Sequence, residues 1–269
     1  MWQTALPARR RLPGFMGITS SGRTTSVRRS TADQLAPVLR VHADIQEECV
    51  PAVDVVAAHR RIAGGQVAYD APGVVRSCGS LTAWFTRVLG SFEVAGLVSN
   101  ADRVALLYGD MDVDGLVCGW LRGDRAPPAA RRRIARMGAI VIGNALLRAA
   151  SARVGTSSRW ARWSRVICPA CGGAPDIALI EREQRFLVCS CCDSQWRSPR
   201  SGCLGCDAID SPTGIARIGN PALGYDLMMC NSCGRFLKER PRRGLGSLLV
   251  ERTITAELDV AAEQRGLRI

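Results

Sequence analysis

Eight of the twelve cysteines in this 269-residue chain fall into four Cys-x-x-Cys pairs: Cys168/Cys171, Cys189/Cys192, Cys203/Cys206 and Cys230/Cys233. Two thiolates so spaced can grip one metal ion from a tight turn, and tetrahedral zinc or rubredoxin-type iron takes two such pairs. Eight sulfurs therefore make two four-thiolate sites, pairs one and two closing the first, three and four the second. The residue after each second cysteine must let backbone N–H groups turn toward the sulfurs. That favours Gly, then Asp or Asn, which tolerate positive φ, and the positions hold Gly172, Asp193, Asp207 and Gly234. Disulfides or a dithiol redox centre would draw on the same residue type. Four evenly used knuckles, two histidines and no secretion pattern favour metal. Cys191 lies inside the second knuckle, but a Cys-x-Cys bite is less usual, so it reads as an oxidation-prone neighbour.

The segments between the pairs must position them. Ten residues separate the second and third pairs, whereas seventeen separate Cys171 from Cys189 and twenty-three separate Cys206 from Cys230. The longer gaps suit hairpins. Ile177 to Ile180 and Phe186 to Val188 flank Glu181 to Arg185 in the first; Ile215 to Ile218 and Tyr225 to Met229 flank Gly219 to Gly224 in the second. The expectation is two zinc-ribbon-like units in tandem.

A hydrophobic content of 47% allows a substantial core. The net charge of +12 is uneven. Residues 1–40 hold seven Arg and one Asp, residues 41–121 five Arg against ten acids, and residues 122–165 eleven Arg and one Asp. From 166 onward thirteen basic residues nearly balance twelve acids. Eight thiolates with two divalent ions would turn that last segment negative, which removes the simplest electrostatic support for nucleic-acid binding by the ribbons.

Residues 1–30 read as a basic flexible tail. Pro13, Gly14 and Arg23 interrupt any apolar run that export would need after Arg9-Arg10-Arg11. Residues 31–164 read as an all-α domain. Thr31 would cap a helix carrying Leu35, Val38, Leu39, His42 and Ile45; further helices are expected over Val53–Ile62, from Ser80 with Leu81, Trp84, Phe85, Val88 and Leu89, over Ala101–Tyr108 and over Asp114–Leu121. Asp110 to Gly115 opens like a calcium loop, but Leu121 stands where the bidentate Glu is needed, so it reads as a turn capping the next helix. Pro127-Pro128 opens the longest helix, Ala129 to about Val154, whose apolar middle Met137–Leu147 is too short to cross a bilayer. Arg131, Arg132, Arg133 and Arg136 oppose its dipole and would face either solvent or the acidic 41–121 segment. His42 and His59 read as structural or solvated. Residues 165–245 hold the ribbons and 246–269 a docking helix capped by Thr253 or Thr255, with Ile254, Leu258 and Ala261 on one face. The fold class is α+β.

Four pairs in this order resemble the formate dehydrogenase accessory protein family, FdhE. The residues that carry the likeness are Cys168-Pro-Ala-Cys-Gly172, Leu187-Val-Cys-Ser-Cys-Cys-Asp-Ser-Gln-Trp196, Cys203/Cys206, Cys230-Asn-Ser-Cys-Gly-Arg-Phe-Leu-Lys238 and the helix from Thr253 to Gly266. Phe236, where the family tends to have Tyr, Cys191 and the basic N-terminal extension depart from it. The resemblance implies a cytoplasmic, non-enzymatic assembly factor with two metal ions, iron or zinc, that assists maturation of formate dehydrogenase by interacting with its catalytic subunit. The residues show no catalytic triad or phosphate loop and no membrane span, and they leave homo-oligomerisation open. A zinc-ribbon nucleic-acid-binding protein, supported by net charge and by Trp160 and Trp163, is the alternative; a thiol redox enzyme rests only on cysteine count.

Overall fold

A computed structural model of the chain describes residues 21–109, 111–124, 130–155, 160, 162–206, 208–209 and 213–268. The architecture is α+β, as the sequence predicts: helices α1 to α7, then strands β1 to β6, then two short helices. It divides into two compact units.

The helical unit comprises residues 32–174 and 189–196. Its helices are α1 (Ser21–Glu48, whose first residues belong to the other unit), α2 (Val55–Ala63), α3 (Ala71–Arg76), α4 (Thr82–Val94), α5 (Asn100–Leu107), α6 (Val113–Leu121) and α7 (Ala130–Val154). Four short helices open on an N-cap side chain that accepts an otherwise orphaned backbone N–H. Asp54 takes it from Ala57, Asp70 from Gly73, Ser99 from Asp102 and Asp112 from Gly115. Asp112 thereby places the calcium-loop-like stretch as a helix cap; Asp110 lies outside the described residues. The N-cap position of α4 is Leu81, which makes no side-chain bond, but Ser80 just before it accepts the N–H of Thr82, the first residue of the helix, at 3.4 Å.

Helix α7 is the axis of this unit. Ala135, Ala139, Ile142, Ala145, Leu146, Leu147 and Ala150 are fully buried. Two glycines let neighbours approach: a Cβ on Gly138 would stand 2.8 Å from the Phe85 ring of α4, and one on Gly143 2.5 Å from the Trp120 ring of α6. Among the described residues it is the one helix long and apolar enough, by length and composition, to cross a membrane; 67% of that window is buried within the protein. The apolar middle is thus continued by small residues that serve helix packing.

The sheet unit comprises residues 175–188, 197–269 and the described residues of 1–31. The strands are β1 (Pro175–Glu181), β2 (Gln184–Cys189, its last residue in the helical unit), β3 (Gln195–Arg197, of which only Arg197 is in the sheet unit), β4 (Ile215–Asn220), β5 (Tyr225–Cys230) and β6 (Phe236–Pro241), in the order β3-β2-β1-β6-β5-β4. Both expected hairpins form. The first turns on Arg182 and Glu183 at φ 46° and 65°, the left-handed pair that a two-residue hairpin loop requires. Strand β6, which the sequence pattern does not mark as a strand, is central. It runs parallel to β1, with Ile177 opposite Lys238, and antiparallel to β5, with Leu227 opposite Lys238, so the two ribbons share one sheet.

A central strand is covered on both faces, yet β6 carries Lys238, Glu239 and Arg240, all buried. Each has an opposite charge in reach. Lys238 meets Asp259 at 2.7 Å, Glu239 meets Arg185 and Arg217 at 2.9 Å each, and Arg240 meets Glu251 at 2.7 Å. Glu251, wholly buried, also accepts from Arg28 at 2.9 Å and from the Tyr225 hydroxyl at 2.9 Å. Arg28, seven residues into α1 and before the Thr31 cap the sequence suggests, is thus held by Glu251 and by the Leu223 carbonyl. The expected closing helix is two, α8 (Leu248–Ile254) and α9 (Ala256–Glu263), meeting at Thr255, whose hydroxyl donates to the Glu251 carbonyl. Leu258 and Ala262, in place of Ala261, face the core.

Candidate metal centres

The structure gathers the eight cysteines of the four pairs into the two expected groups. Cys168, Cys171, Cys189 and Cys192 form one and Cys203, Cys206, Cys230 and Cys233 the other, with all sulfurs in a group within 4.8 Å of one another. All twelve cysteines are unbridged. In the first group Cys168 and Cys192 lie 3.6 Å apart, Cys171 and Cys189 3.4 Å, and Cys171 and Cys192 3.4 Å. In the second, Cys203–Cys233 and Cys206–Cys230 are each 3.5 Å. Four sulfurs at about 2.3 Å from one ion form a tetrahedron with edges of about 3.8 Å. The sulfur–sulfur distances just given lie within a few tenths of an ångström of that edge, and both groups could hold a metal ion.

The knuckles are built as the spacing requires. Gly172, Asp193 and Gly234 stand at φ 78°, 59° and 68°, and their N–H groups return to the carbonyls of Cys168, Cys189 and Cys230. Asp207, the fourth such position, lies outside the described residues. Backbone N–H groups of Gly173, Cys191 and Gly205 point at the sulfurs of Cys171, Cys189 and Cys203 from 3.3 to 3.4 Å, stabilising negative charge there. Gly173 is sterically obligatory, since a Cβ would stand 2.9 Å from both the Cys189 and Cys191 sulfurs.

Charge is unequally shared within each group. Burial opposes ionisation of Cys192, but hydrogen bonds from Cys168, Cys171, Cys189 and Ser151 hold its thiol well below the usual value, whereas Cys189 is pushed well above it, first by burial. In the second group Cys230 sits at about 6: burial is outweighed by the N–H groups of Cys233 and Ser232 and by the Cys206 and Cys203 thiols. Cys233 is pushed up to about 12, chiefly by burial. One sulfur keeps the charge while others keep protons, and a bound cation displaces those protons. The groups also differ in access. Three sulfurs of the first are buried and Cys171 is half-buried, while Cys206 of the second is exposed.

A hydrogen-bonded chain within the helical unit fixes the second knuckle. Gln46 donates to His42 Nδ1 at 3.0 Å, which leaves the His42 Nε2 proton to reach Asn144 Oδ1 at 2.8 Å. The Asn144 amide nitrogen then donates to the Cys191 carbonyl at 2.8 Å and to Asp193 at 3.3 Å, and Arg148 holds the same Asp193 at 3.0 Å. The first knuckle is held from the α2–α3 connection, where Ala68 and Tyr69 donate backbone N–H bonds to the Pro169 and Ala170 carbonyls. Tyr69 itself is buried, its hydroxyl bonded to Ser151 at 2.7 Å; burial and the neighbouring Cys192 and Cys171 raise its phenol well above the usual value. Sequence reading missed this support. The one signal was Asn144, an amide in the middle of an apolar helix, which demands partners when buried. His42 and His59 are structural, His59 bonding the Val154 carbonyl at 2.8 Å.

Of the basic residues at the start of α7, Arg131 meets Asp102 of the acidic segment at 3.5 Å. Trp160 and Trp163 are 7% and 6% exposed, so neither presents a face for base stacking, and the aromatic support for the nucleic-acid alternative falls away.

Comparison with known proteins converges on one family. A family model described as "FdhE, central domain" matches residues 167–200, spanning the first two cysteine pairs. A "Protein FdhE homolog" of Aquifex aeolicus (strain VF5) is 26% identical over 112 residues, 39% of this chain and 40% of that protein. Another of Rhizobium meliloti (strain 1021) is 30% identical over 81 residues, 27% of this chain and 26% of that one. The matched stretch thus spans less than half the length of these curated relatives. The crystal structure of the FdhE protein from Pseudomonas aeruginosa superposes with a TM-score of 0.62 over 92% of this chain and 90% of that one, at 19% identity, a likeness of fold.

Proposed function

We propose, from the premise that this chain is of the FdhE family, that it is an accessory factor that assists maturation of formate dehydrogenase by interacting with that enzyme's catalytic subunit. Cys168, Cys171, Cys189 and Cys192 would hold one metal ion and Cys203, Cys206, Cys230 and Cys233 a second, each ion being iron or zinc. The observation that carries this reading is the pair of four-sulfur groups, each within 4.8 Å and each closed by two knuckles. An ion in either cage cross-links distant segments and supplies folding energy of about 10 kcal/mol or more; iron would add one-electron chemistry, which zinc lacks. The protein's own residues orient the sulfurs, neutralise them with N–H groups and bury the first group. Nothing among the described residues assembles a nucleophile, base and oxyanion donor, and the reading is of a non-enzyme. Twelve unbridged thiols suit the cytoplasm, a reducing compartment.

The test is co-purification. Tagged protein is incubated in reducing buffer with the formate dehydrogenase catalytic subunit, with and without prior chelation. The catalytic subunit should be retained by the metal-replete protein and lost after chelation; no retention in either condition overturns the proposal. Elemental analysis with a visible spectrum identifies the metal, since ferric thiolate is coloured and zinc is not.

A further inference from the structure

One cysteine outside the four pairs stands at the first cage. Cys191 reads from its spacing as an oxidation-prone neighbour, but it is 9% exposed, and its sulfur is turned to the cage and not to solvent. A Cβ on Gly173 would lie 2.9 Å from the Cys191 sulfur and 2.9 Å from the Cys189 sulfur, so the two flank one point. The Cys191 N–H also points at the Cys189 sulfur, at 3.4 Å, and the Cys191 thiol meets the Ser190 hydroxyl only at 3.6 Å. The backbone beneath is fixed. Asn144 donates to the Cys191 carbonyl at 2.8 Å, and the Ser190 N–H bonds the Ala174 carbonyl at 3.0 Å. Movement of the Cys191 sulfur is therefore rotation about its Cα–Cβ bond, in the space that Gly173 leaves open.

We propose that Cys191 is a fifth ligand of the first centre, able to take the position of Cys189 when that sulfur lets go. The inference rests on the reading that Cys168, Cys171, Cys189 and Cys192 hold an ion. In the exchange the bond from Cys189 to the ion breaks, one from Cys191 forms, and the Cys191 proton passes to Cys189. The number of thiolates, the charge and the oxidation states stay the same. Cys168, Cys171 and Cys192 are common to both ligand sets.

The consequence is retention. A four-thiolate site gives up its ion by losing sulfurs one after another, and a fifth thiol beside a departing one restores the set before the next is lost. The second centre has no such sulfur, because its own four are the only cysteines in the sequence of the sheet unit.

The experiment loads the full chain with cobalt(II) under reducing conditions and reads cobalt content together with sulfur-to-cobalt charge-transfer absorbance per ion, which grows with each Co–S bond. Cys189→Ala should bind two ions with wild-type absorbance, whereas Cys168→Ala and Cys189→Ala/Cys191→Ala should each bind one. Alanine offers no donor, so the fourth bond in Cys189→Ala has to come from Cys191. Cys191→Ala, which keeps the original four ligands, should bind two ions with wild-type absorbance but release the first-site ion to a chelator about tenfold faster. A Cys189→Ala chain with one ion, or with two ions and a lost Co–S bond, overturns the proposal, as does wild-type release from Cys191→Ala. A wild-type chain whose only cobalt is the one that Cys230→Ser removes overturns the premise of an ion in the first group, and the proposal with it; two ions in wild type and one in Cys189→Ala overturn the proposal alone.

Discussion

Replacing Asn144 by Leu keeps side-chain size close but removes every polar contact at the centre of the helical unit. Asn144 is 7% exposed and makes three bonds: it accepts from His42 at 2.8 Å and donates to the Cys191 carbonyl at 2.8 Å and to Asp193 at 3.3 Å. The first two leave buried partners behind. His42 loses the acceptor of its Nε2 proton, and the Cys191 carbonyl loses a donor. At about 1–3 kcal/mol for each buried group left unpaired, and with the longer bond to Asp193 partly replaced by Arg148, the net cost is about 3 kcal/mol. That cost falls on the loop from Cys189 to Asp193, whose shape sets two sulfurs of the first cage. Supporting residues of this kind change metal affinity by about 10–100-fold.

The assay is competition of the metal-loaded protein against a chromophoric chelator, which titrates the two ions in separate steps. Asn144→Leu should weaken the first site by one to two orders of magnitude and leave the second, whose four cysteines lie in the sheet unit, at its wild-type affinity. Cys168→Ser and Cys230→Ser label which step belongs to which cage. Equal weakening of both sites, or wild-type release of both, would refute the claim that the buried chain from Gln46 to Asp193 governs one cage.

Gly173→Ala should act on the same cage by sterics, because its methyl would stand 2.9 Å from the Cys189 and Cys191 sulfurs; in elemental analysis the purified variant should carry about one ion in place of two, and two tightly held ions would contradict it. In a chelator time course the second site should empty first, since Cys206 is exposed whereas three sulfurs of the first group are buried; Cys230→Ser should abolish the fast phase, and its survival would reverse the assignment. Glu251→Gln leaves Arg28 and Arg240 facing a neutral group in the core and should cost about 3–5 kcal/mol in urea unfolding at pH 7. Burial would raise the Glu251 carboxyl, but Arg28, Tyr225 and Arg240 hold it below its ordinary 4.5. Its contribution is therefore fully present above that value and is lost as pH falls through the lower folded one, so the gap between wild type and variant should narrow as pH falls below 4.5; a gap that does not narrow on acidification would refute the pairing.

The cages and both hairpins were legible because their signals are local. A Cys-x-x-Cys turn, its positive-φ residue and two β-rich runs around a short loop are all fixed within a few residues of each other. Helices α2, α5 and α6 were legible close to their observed bounds, α6 with its cap in the Asp110 to Gly115 stretch, whereas the caps Asp54 and Ser99 went unread. Strand β6 was not, for a physical reason. Its middle residues Lys238, Glu239 and Arg240 present the composition of a solvated linker, and only partners far along the chain make them compatible with a core: Asp259, Arg185 with Arg217, and Glu251 with Tyr225. Burying such a set is costly unless every charge is met, so the sheet can form in this register only when α8 and α9 bring Glu251 and Asp259 into place. Asp259 marks the margin, since burial raises its carboxyl in spite of Lys238.

The same logic separates what each cage asks of the rest of the chain. The first borrows its support from the helical unit, through His42 of α1, Tyr69 of the α2–α3 connection and Asn144 of α7, none of which carries a motif. The second is closed locally. The Cys230 and Phe236 N–H groups bond the Arg235 and Arg268 carbonyls, and Arg268 returns a bond to Gly234, so the end of the chain lies as an isolated β-bridge beside the fourth knuckle. A cage anchored in a helical core resists distortion, whereas one with an exposed Cys206 is open to solvent at one sulfur.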